Sequence, residues 1–278
     1  MVIPEHARSA RVQYELPRTE DVSITCDIPY KEGAGSDLLM DVYAPPDVGP
    51  AHGRPAVVFI HGGPLPDRPM WIKDHGAFRT WGPLVAARGY VGAVFNHRHL
   101  ERWTTARDSL ADIDDAIAFL RRHAGTFGLN PERICIFTFS AGPPLALRTV
   151  LRDRPPYVRC AIAYYGMMDI DGLRSRTDGP PISGDVVDDL CLRRYLSSAP
   201  DTVPPLFLAR AGRDHPALNA TIDRFVAEAL TSNVPLTLVT HPDGQHAFDT
   251  RDDLPRTREV IRATLDFIDA HLRAAPHP

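Results

Sequence analysis

A serine stands where an apolar run of the 278-residue chain passes into a turn. Ser140 lies in the stretch TFSAG (138–142), at the end of the run RICIFTF (133–139). On a sharp strand-to-helix turn, a serine projects its hydroxyl above the sheet, and the next amide, here that of Ala141, points to where an oxyanion would form. Ser140 is therefore a candidate nucleophile, although the stretch alone is equally consistent with an ordinary turn.

A serine hydroxyl reacts only when a base takes its proton, and two later apolar runs lead into groups that could do so. The run PLFLARA (205–211) is followed closely by Asp214, and PLTLVT (235–240) leads into the loop that holds His246. Parallel strands bind ligands at their carboxyl ends, so both side chains would meet Ser140 at one edge of a sheet. His246 would act as the general base, while Asp214 fixes the tautomer of its imidazole.

Two glycines follow another buried run and could complete an oxyanion site. The stretch FIHGGP (59–64) places Gly62 and Gly63 just after the apolar residues. Glycine lets the backbone approach another group closely and turn its amides toward it. Pro64 has no N–H to donate, so the oxyanion hole would use the amide of Gly62 or Gly63 together with that of Ala141. Which glycine donates stays open.

Other histidines and aspartates compete with His246 and Asp214 for these roles. The competitors lie near the same strand ends or in the following segments: His215, His241, Asp185 and Asp243. His246 is favoured because a glycine-containing loop precedes it and Phe248 follows it. Asp214 is favoured because neither competing aspartate directly follows a strand at the expected place.

Composition and the remaining motifs favour a small-molecule partner and give no strong metal site. A net charge of −4 gives no electrostatic reason to bind nucleic acid or an anionic membrane. No apolar run approaches the roughly 20 residues needed to cross a bilayer, and we expect a cytoplasmic protein. His97 and His99 would share one side of an extended segment, but two histidines without a third ligand make a weak metal site. The scattered cysteines predict neither a disulfide framework nor a zinc site.

The elements that must position these groups alternate along the chain. Six continuous apolar runs predict strands that are buried on both faces of a parallel sheet. The runs VSITCDI (22–28) and LLMDVYA (38–44) predict an antiparallel hairpin at the sheet edge. Helices are predicted between or after the runs: 76–88, 104–124, 143–152, 217–231 and 256–273. This alternation predicts a mainly parallel α/β sheet flanked by helices.

The length fits a single α/β domain over residues 1–278. One long segment, 169–204, interrupts the alternation and is predicted to hold one helix near 185–197. We interpret this segment as a small lid over the site, with a simple surface excursion as the equal alternative. Together with residues 64–81 it would shape the substrate pocket. The oligomeric state stays open, with a homodimer as one alternative.

The order and spacing of the motifs resemble those of the α/β-hydrolase-fold serine esterases. The nearest in style are carboxylesterase and hormone-sensitive-lipase-like enzymes that carry an HGG oxyanion motif, in which serine, aspartate and histidine occur in this chain order. The resemblance runs from DVYAPP (41–46) through HGGP, NHR (96–98), FSAG and GRD to GQHAF (244–248). It implies hydrolysis of small or medium carboxylic esters through an acyl-enzyme, with no metal or organic cofactor.

One departure from the family pattern lies inside the nucleophile turn. Such enzymes usually have glycine two residues before the serine, whereas this chain has Thr138. A β-branched residue should crowd the turn, so we expect a slightly shifted turn that keeps its function. Two further functions stay open: an amidase, formamidase or peptidase with the same triad, and a non-catalytic binding protein in which Thr138 and Pro64 record decay of the site.

Overall fold

The computed structural model describes residues 3–32, 37–46, 53–62, 72–98, 106–171 and 182–273. Its centre is one eight-stranded sheet with the strand order β1-β2-β4-β3-β5-β6-β7-β8. The strands are β1 Ser23–Lys31, β2 Leu38–Ala44, β3 Arg54–Ile60, β4 Val91–Phe95, β5 Leu129–Phe139, β6 Val158–Tyr164, β7 Leu206–Ala211 and β8 Leu236–His241. β2 runs antiparallel to both β1 and β4, and every other neighbouring pair is parallel.

Helices connect the strands and cover both faces of the sheet. They are α1 Glu5–Ser9, α2 Gly76–Ala87, α3 Ala106–Arg122, α4 Ala124–Phe127, α5 Pro143–Arg152, α6 Gly184–Asp189, α7 Pro216–Thr231, α8 Phe248–Arg251 and α9 Pro255–Leu272. The predicted hairpin and the alternation of strands and helices are confirmed. No helix in the described ranges is long and apolar enough to cross a membrane.

The core has two apolar layers, one on each face of the sheet. On one face, Val58 of β3 packs in a cluster with apolar residues of α3, α5 and α7. On the other, Phe59 packs with Trp81 of α2 and with residues of α9. Neighbouring positions of one strand therefore bury their side chains on opposite faces, which explains why the strands are continuous apolar runs. This packing fixes the carboxyl ends of the strands relative to one another.

The segment 169–204 differs in detail from its prediction. The single helix expected near 185–197 is instead α6 followed by a 3₁₀ turn, Leu192–Tyr195. The break falls at Cys191, whose backbone is extended and whose thiol donates to Asp171. Residues 172–181 lie outside the described residues. The lid stays a prediction.

Candidate active site

Ser140 occupies a tight turn between β5 and α5. Its φ of 56° lies in the left-handed region, which costs a non-glycine residue about 1 kcal/mol or more. Two backbone hydrogen bonds hold Ser140: its N–H donates to the Tyr164 carbonyl at 3.1 Å, and its carbonyl accepts from the Met167 N–H at 2.7 Å. Both partners belong to the end of β6 and the chain that follows. The neighbouring strand thus stabilises a conformation that the turn would not adopt alone.

A chain of hydrogen bonds joins Ser140 to the two side chains predicted to act with it. The Nε2 atom of His246 lies 3.0 Å from the Ser140 Oγ, and its Nδ1 lies 2.7 Å from the Asp214 Oδ2. The Asp214 side chain is 5% exposed and that of His246 is 34% exposed. The Asp214 carboxylate accepts a hydrogen bond from the Nδ1–H of the neutral imidazole. The unprotonated Nε2 can then accept the proton of the serine hydroxyl.

The competing residues make other interactions. The buried His241 bonds through Nε2 to the Thr257 hydroxyl at 2.9 Å, and His215 caps α7 by accepting from the Ala217 amide. Asp243 pairs with an arginine on the surface, while Asp185 lies in the first turn of α6. None of these four side chains joins the hydrogen-bond chain that includes Ser140, although the His215 backbone N–H donates to the Asp214 Oδ1 at 2.7 Å.

Gly62 packs directly against the nucleophile turn. A Cβ atom at position 62 would lie 2.6 Å from the Ala141 nitrogen and 2.7 Å from the Phe139 carbonyl oxygen, so only glycine fits without a backbone shift. Within the part of the chain that the structure describes, the Gly62 and Ala141 amides donate no hydrogen bond. Both amides are therefore available to an external acceptor beside Ser140. Gly63 and Pro64 lie outside the described residues.

The crowding expected from Thr138 is taken up by Gly142. Thr138 is fully buried, and its hydroxyl has no hydrogen-bond partner among the described residues. A Cβ atom at position 142 would lie 2.3 Å from that hydroxyl oxygen, which is shorter than any normal contact. The absent side chain at position 142 therefore provides the space that the threonine occupies.

A cavity of about 320 Å³ opens above Ser140. Part of its wall is apolar, from Phe78, Phe139 and Tyr165 among others, and part is basic. The basic side chains are His6, His61, His75, His246 and Arg251. No aspartate or glutamate is among the described residues that line it.

Several of these lining residues carry no signal in the sequence motifs. His6 and Ala7 come from α1, His75 caps α2, and Arg251 ends α8. Burial lowers the pKa of His75 to about 4, and the nearby charges of His6 and Arg251 lower it further. His75 is therefore neutral at pH 7. His75 falls within residues 64–81, which the sequence predicts to shape the pocket, whereas His6 and Arg251 lie outside both predicted pocket segments.

A buried polar layer lies beneath the candidate base. The Tyr165 ring packs against the His246 imidazole with centroids 4.8 Å apart, and its hydroxyl donates to Asp249 at 2.8 Å. The Trp81 indole donates to the other Asp249 oxygen at 2.9 Å. Burial raises the pKa of the Asp249 carboxyl, although these two hydrogen bonds oppose the shift. The layer fixes the ring on which His246 rests.

The His97 motif has a packing role in the structure. The His97 ring stacks on that of His61 with centroids 3.8 Å apart, and its Nδ1 lies 2.9 Å from the Arg98 carbonyl oxygen. His99 lies outside the described residues. Within the described ranges, no three histidine, cysteine or acidic side chains are grouped so that they could hold a metal ion.

Comparison with known proteins supports the resemblance that the motifs indicated. Residues 40–177 match the BD-FAE family model. Esterase LipQ of Mycobacterium tuberculosis is 25% identical over 91% of this chain and 63% of its own length. The probable carboxylic ester hydrolase LipM of the same organism is 25% identical over 80% of this chain and 56% of its own length. The chain thus spans about three fifths of the length of these relatives.

The fold has close counterparts among solved structures. An esterase from Thermogutta terrifontis with bound propionate superimposes with a TM-score of 0.72 at 22% identity, covering 94% of this chain and 98% of the other. At this level of identity the likeness establishes the fold. The predicted architecture, a mainly parallel α/β-hydrolase sheet with an N-terminal antiparallel hairpin, is confirmed.

Proposed function

We propose that this chain, which belongs to the α/β-hydrolase-fold carboxylesterases, is a serine hydrolase that cleaves small or medium carboxylic esters through an acyl-enzyme. The observation that carries the proposal is the continuous hydrogen-bond chain from Ser140 through His246 to Asp214. It begins at a serine with positive φ and lies beside a cavity. Serine, base and orienting carboxylate in this arrangement perform acyl transfer on several unrelated folds.

The reaction proceeds in two halves. As the Ser140 Oγ attacks the ester carbonyl, His246 takes the hydroxyl proton at Nε2 and then delivers it to the departing alcohol. Asp214 accepts a hydrogen bond from the Nδ1–H of His246 and stabilises the imidazolium that forms. A water molecule, deprotonated by the same imidazole, then releases the acid from the serine. The strained turn holds Oγ above the sheet without rearrangement between the two halves.

Charge on the tetrahedral intermediate needs donors that are fixed before the reaction. The Ala141 amide, directly after the nucleophile, and the Gly62 amide beside it fit this role because both lack an intramolecular acceptor in the described ranges. Gly63 stays an alternative donor from the same turn. Removing one such donor typically lowers kcat by about 10²- to 10³-fold.

The test compares p-nitrophenyl butyrate hydrolysis by four variants. Ser140→Ala and His246→Ala should each lower kcat by about 10⁶-fold, and Asp214→Asn by about 10⁴-fold because the base remains but is poorly oriented. The control is Ser23→Ala, at an exposed position on β1. A fluorophosphonate probe should label the wild type and Ser23→Ala but not Ser140→Ala, and it should react far more slowly with His246→Ala because the base that activates the serine is missing. Turnover retained by folded Ser140→Ala would overturn the nucleophile assignment.

The same triad could cleave amides, so the bond must be tested directly. Paired assays with an ester and the amide of the same acid decide between an esterase and an amidase or formamidase. We expect the ester to be cleaved at least a hundredfold faster. Folded protein that neither hydrolyses any substrate nor reacts with the fluorophosphonate would instead indicate a non-catalytic binding protein.

A further inference from the structure

The described wall of the cavity above Ser140 carries basic side chains and no acidic ones. It includes one arginine and four histidines, but no carboxylate. Of these groups, His246 and His61 are part of the catalytic centre or pack beside it. His6, His75 and Arg251 have no part in the acyl-transfer mechanism. They lie near one another, because the charges of His6 and Arg251 both act on the His75 imidazole.

Arg251 is the permanent cation of this wall. It ends α8, five residues after His246, and its guanidinium has no hydrogen bond or ion pair within the described part of the chain. Three aspartates neighbour it in sequence, yet each bonds to another group: Asp249 to Trp81 and Tyr165, Asp252 to Gln245, and Asp253 to Arg258. Among the described residues, no carboxylate therefore pairs with this cation at the cavity.

His75 supplies a neutral donor next to this cation. Its Nδ1 accepts from the Ala77 amide at 3.1 Å, as the cap of α2. In the neutral imidazole the proton must therefore be on Nε2, which becomes a hydrogen-bond donor. A neutral N–H beside an arginine can bind one anionic group without mutual repulsion between two cations.

We propose that the cavity accepts esters that carry a carboxylate in addition to the scissile bond, with Arg251 and His75 as the groups that bind it. This inference names the substrate class and rests on the proposed function. A carboxylate satisfies both donors, and Arg is the side chain best suited to bind it. The apolar wall from Phe78, Phe139 and Tyr165 would contact the intervening carbon chain. Arg251 would then determine specificity, and it would not touch the reacting atoms.

Two matched pairs of esters test the proposal, because the carboxylate could lie on either side of the scissile bond. On the acyl side, p-nitrophenyl hydrogen adipate is compared with neutral p-nitrophenyl 6-methylheptanoate. On the alcohol side, 4-acetoxybenzoate is compared with its neutral methyl ester. We expect the wild-type protein to have the higher kcat/KM on the anionic member of one pair.

Substitution of Arg251 then identifies the cause of the preference. Arg251→Gln should lower kcat/KM on the preferred anionic ester by about tenfold or more, since it removes a charge-assisted hydrogen bond. It should change the neutral isostere less than twofold. Arg262→Gln is the matched control, because Arg262 is an exposed arginine of α9 that does not line the cavity. That variant should leave both pairs unchanged.

The outcomes separate this inference from the proposed function. Equal kcat/KM within both pairs, or a preference that survives Arg251→Gln, would overturn the carboxylate site while ester hydrolysis stands. Calorimetric titration of Ser140→Ala protein with 4-acetoxybenzoate and with the adipate ester measures binding without turnover. Binding of one of them that weakens about tenfold in Ser140→Ala/Arg251→Gln supports the site even if no ester is cleaved, and equal binding by both proteins overturns it.

Discussion

Gly142 should be as necessary to the nucleophile turn as the glycines of the oxyanion motif. A methyl group at position 142 would lie 2.3 Å from the Thr138 Oγ1, 2.9 Å from the Phe139 carbonyl oxygen and 3.0 Å from the His61 carbonyl oxygen. The shortest of these must lengthen by about 1 Å to reach ordinary contact. Two of the three neighbours are backbone atoms, so side-chain rotation alone cannot make room.

The expected loss of kcat follows from how close position 142 is to Ser140. Overpacking of this kind costs about 1–3 kcal/mol of folding free energy. Position 142 is two residues after Ser140, whose Oγ lies only 3.0 Å from the His246 Nε2. A displacement of about 1 Å at a reacting group costs about 10²-fold in rate. We therefore expect Gly142→Ala to lower kcat on p-nitrophenyl butyrate by about a hundredfold, with a smaller relative effect on stability.

Two further variants test whether Thr138 and position 142 compete for the same space. Thr138→Gly/Gly142→Ala removes the shortest contact and should recover part of the lost kcat. Gly125→Ala is the matched control, because a Cβ atom there would meet nothing within 4 Å. The assays are steady-state kinetics and urea unfolding on all three variants. Unchanged kcat and stability in Gly142→Ala, or no recovery in the double variant, would show that the threonine and glycine do not share this space.

Two predictions concern stability. Because the pKa of His75 is about 4 in the fold and 6.5 in its ordinary state, the unfolded chain takes up the proton first. Stability should fall by up to about 3 kcal/mol between pH 6.5 and 4. His75→Asn keeps a capping oxygen and should flatten that slope in urea unfolding; an equal slope would contradict the assignment. Lys73→Met should cost about 3–5 kcal/mol, because Lys73 is 2% exposed and its loss leaves the buried Asp41 without a cation. Lys31→Met should cost less in the same assay, since its buried partner Asp112 keeps a second cation; equal costs would refute this account.

The sequence predicts most where one physical rule dominates. Strands buried on both faces must be apolar throughout, and the helix predicted over 143–152 is α5, Pro143–Arg152. The chain order and the positions of the strand ends were enough to predict that Ser140, Asp214 and His246 lie close together. The expectation of one helix near 185–197 was wrong because the backbone is extended at Cys191, and the periodic pattern does not reveal such a local break.

His6 and Arg251 could not be predicted as cavity residues, because segments that are distant in the chain bring them together. His6 lies 245 positions before Arg251 in the chain, and neither belongs to a motif. Their proximity depends on how the N-terminal segment packs against α8. The backbone N–H of Gln13 donates to the backbone carbonyl of Asp249, a residue of α8, at 2.8 Å. No local pattern encodes such a long-range pairing. The compensation of Thr138 by Gly142 is also invisible in sequence, since it is a contact across a turn.

The candidate triad and the rest of the cavity wall differ in how readily they can be substituted. Ser140, Asp214 and His246 follow strands that the two-layered core holds together, and the turn at Ser140 tolerates few substitutions because Gly62 and Gly142 lie against its backbone. The basic residues of the wall that lie outside the candidate triad and its neighbour His61 come instead from α1, the cap of α2 and the last residue of α8. None of these three side chains takes part in the hydrogen bonds that join Ser140, His246 and Asp214. If the proposed function holds, substitutions at these positions should alter which esters bind while the hydrogen-bond chain through His246 keeps its geometry.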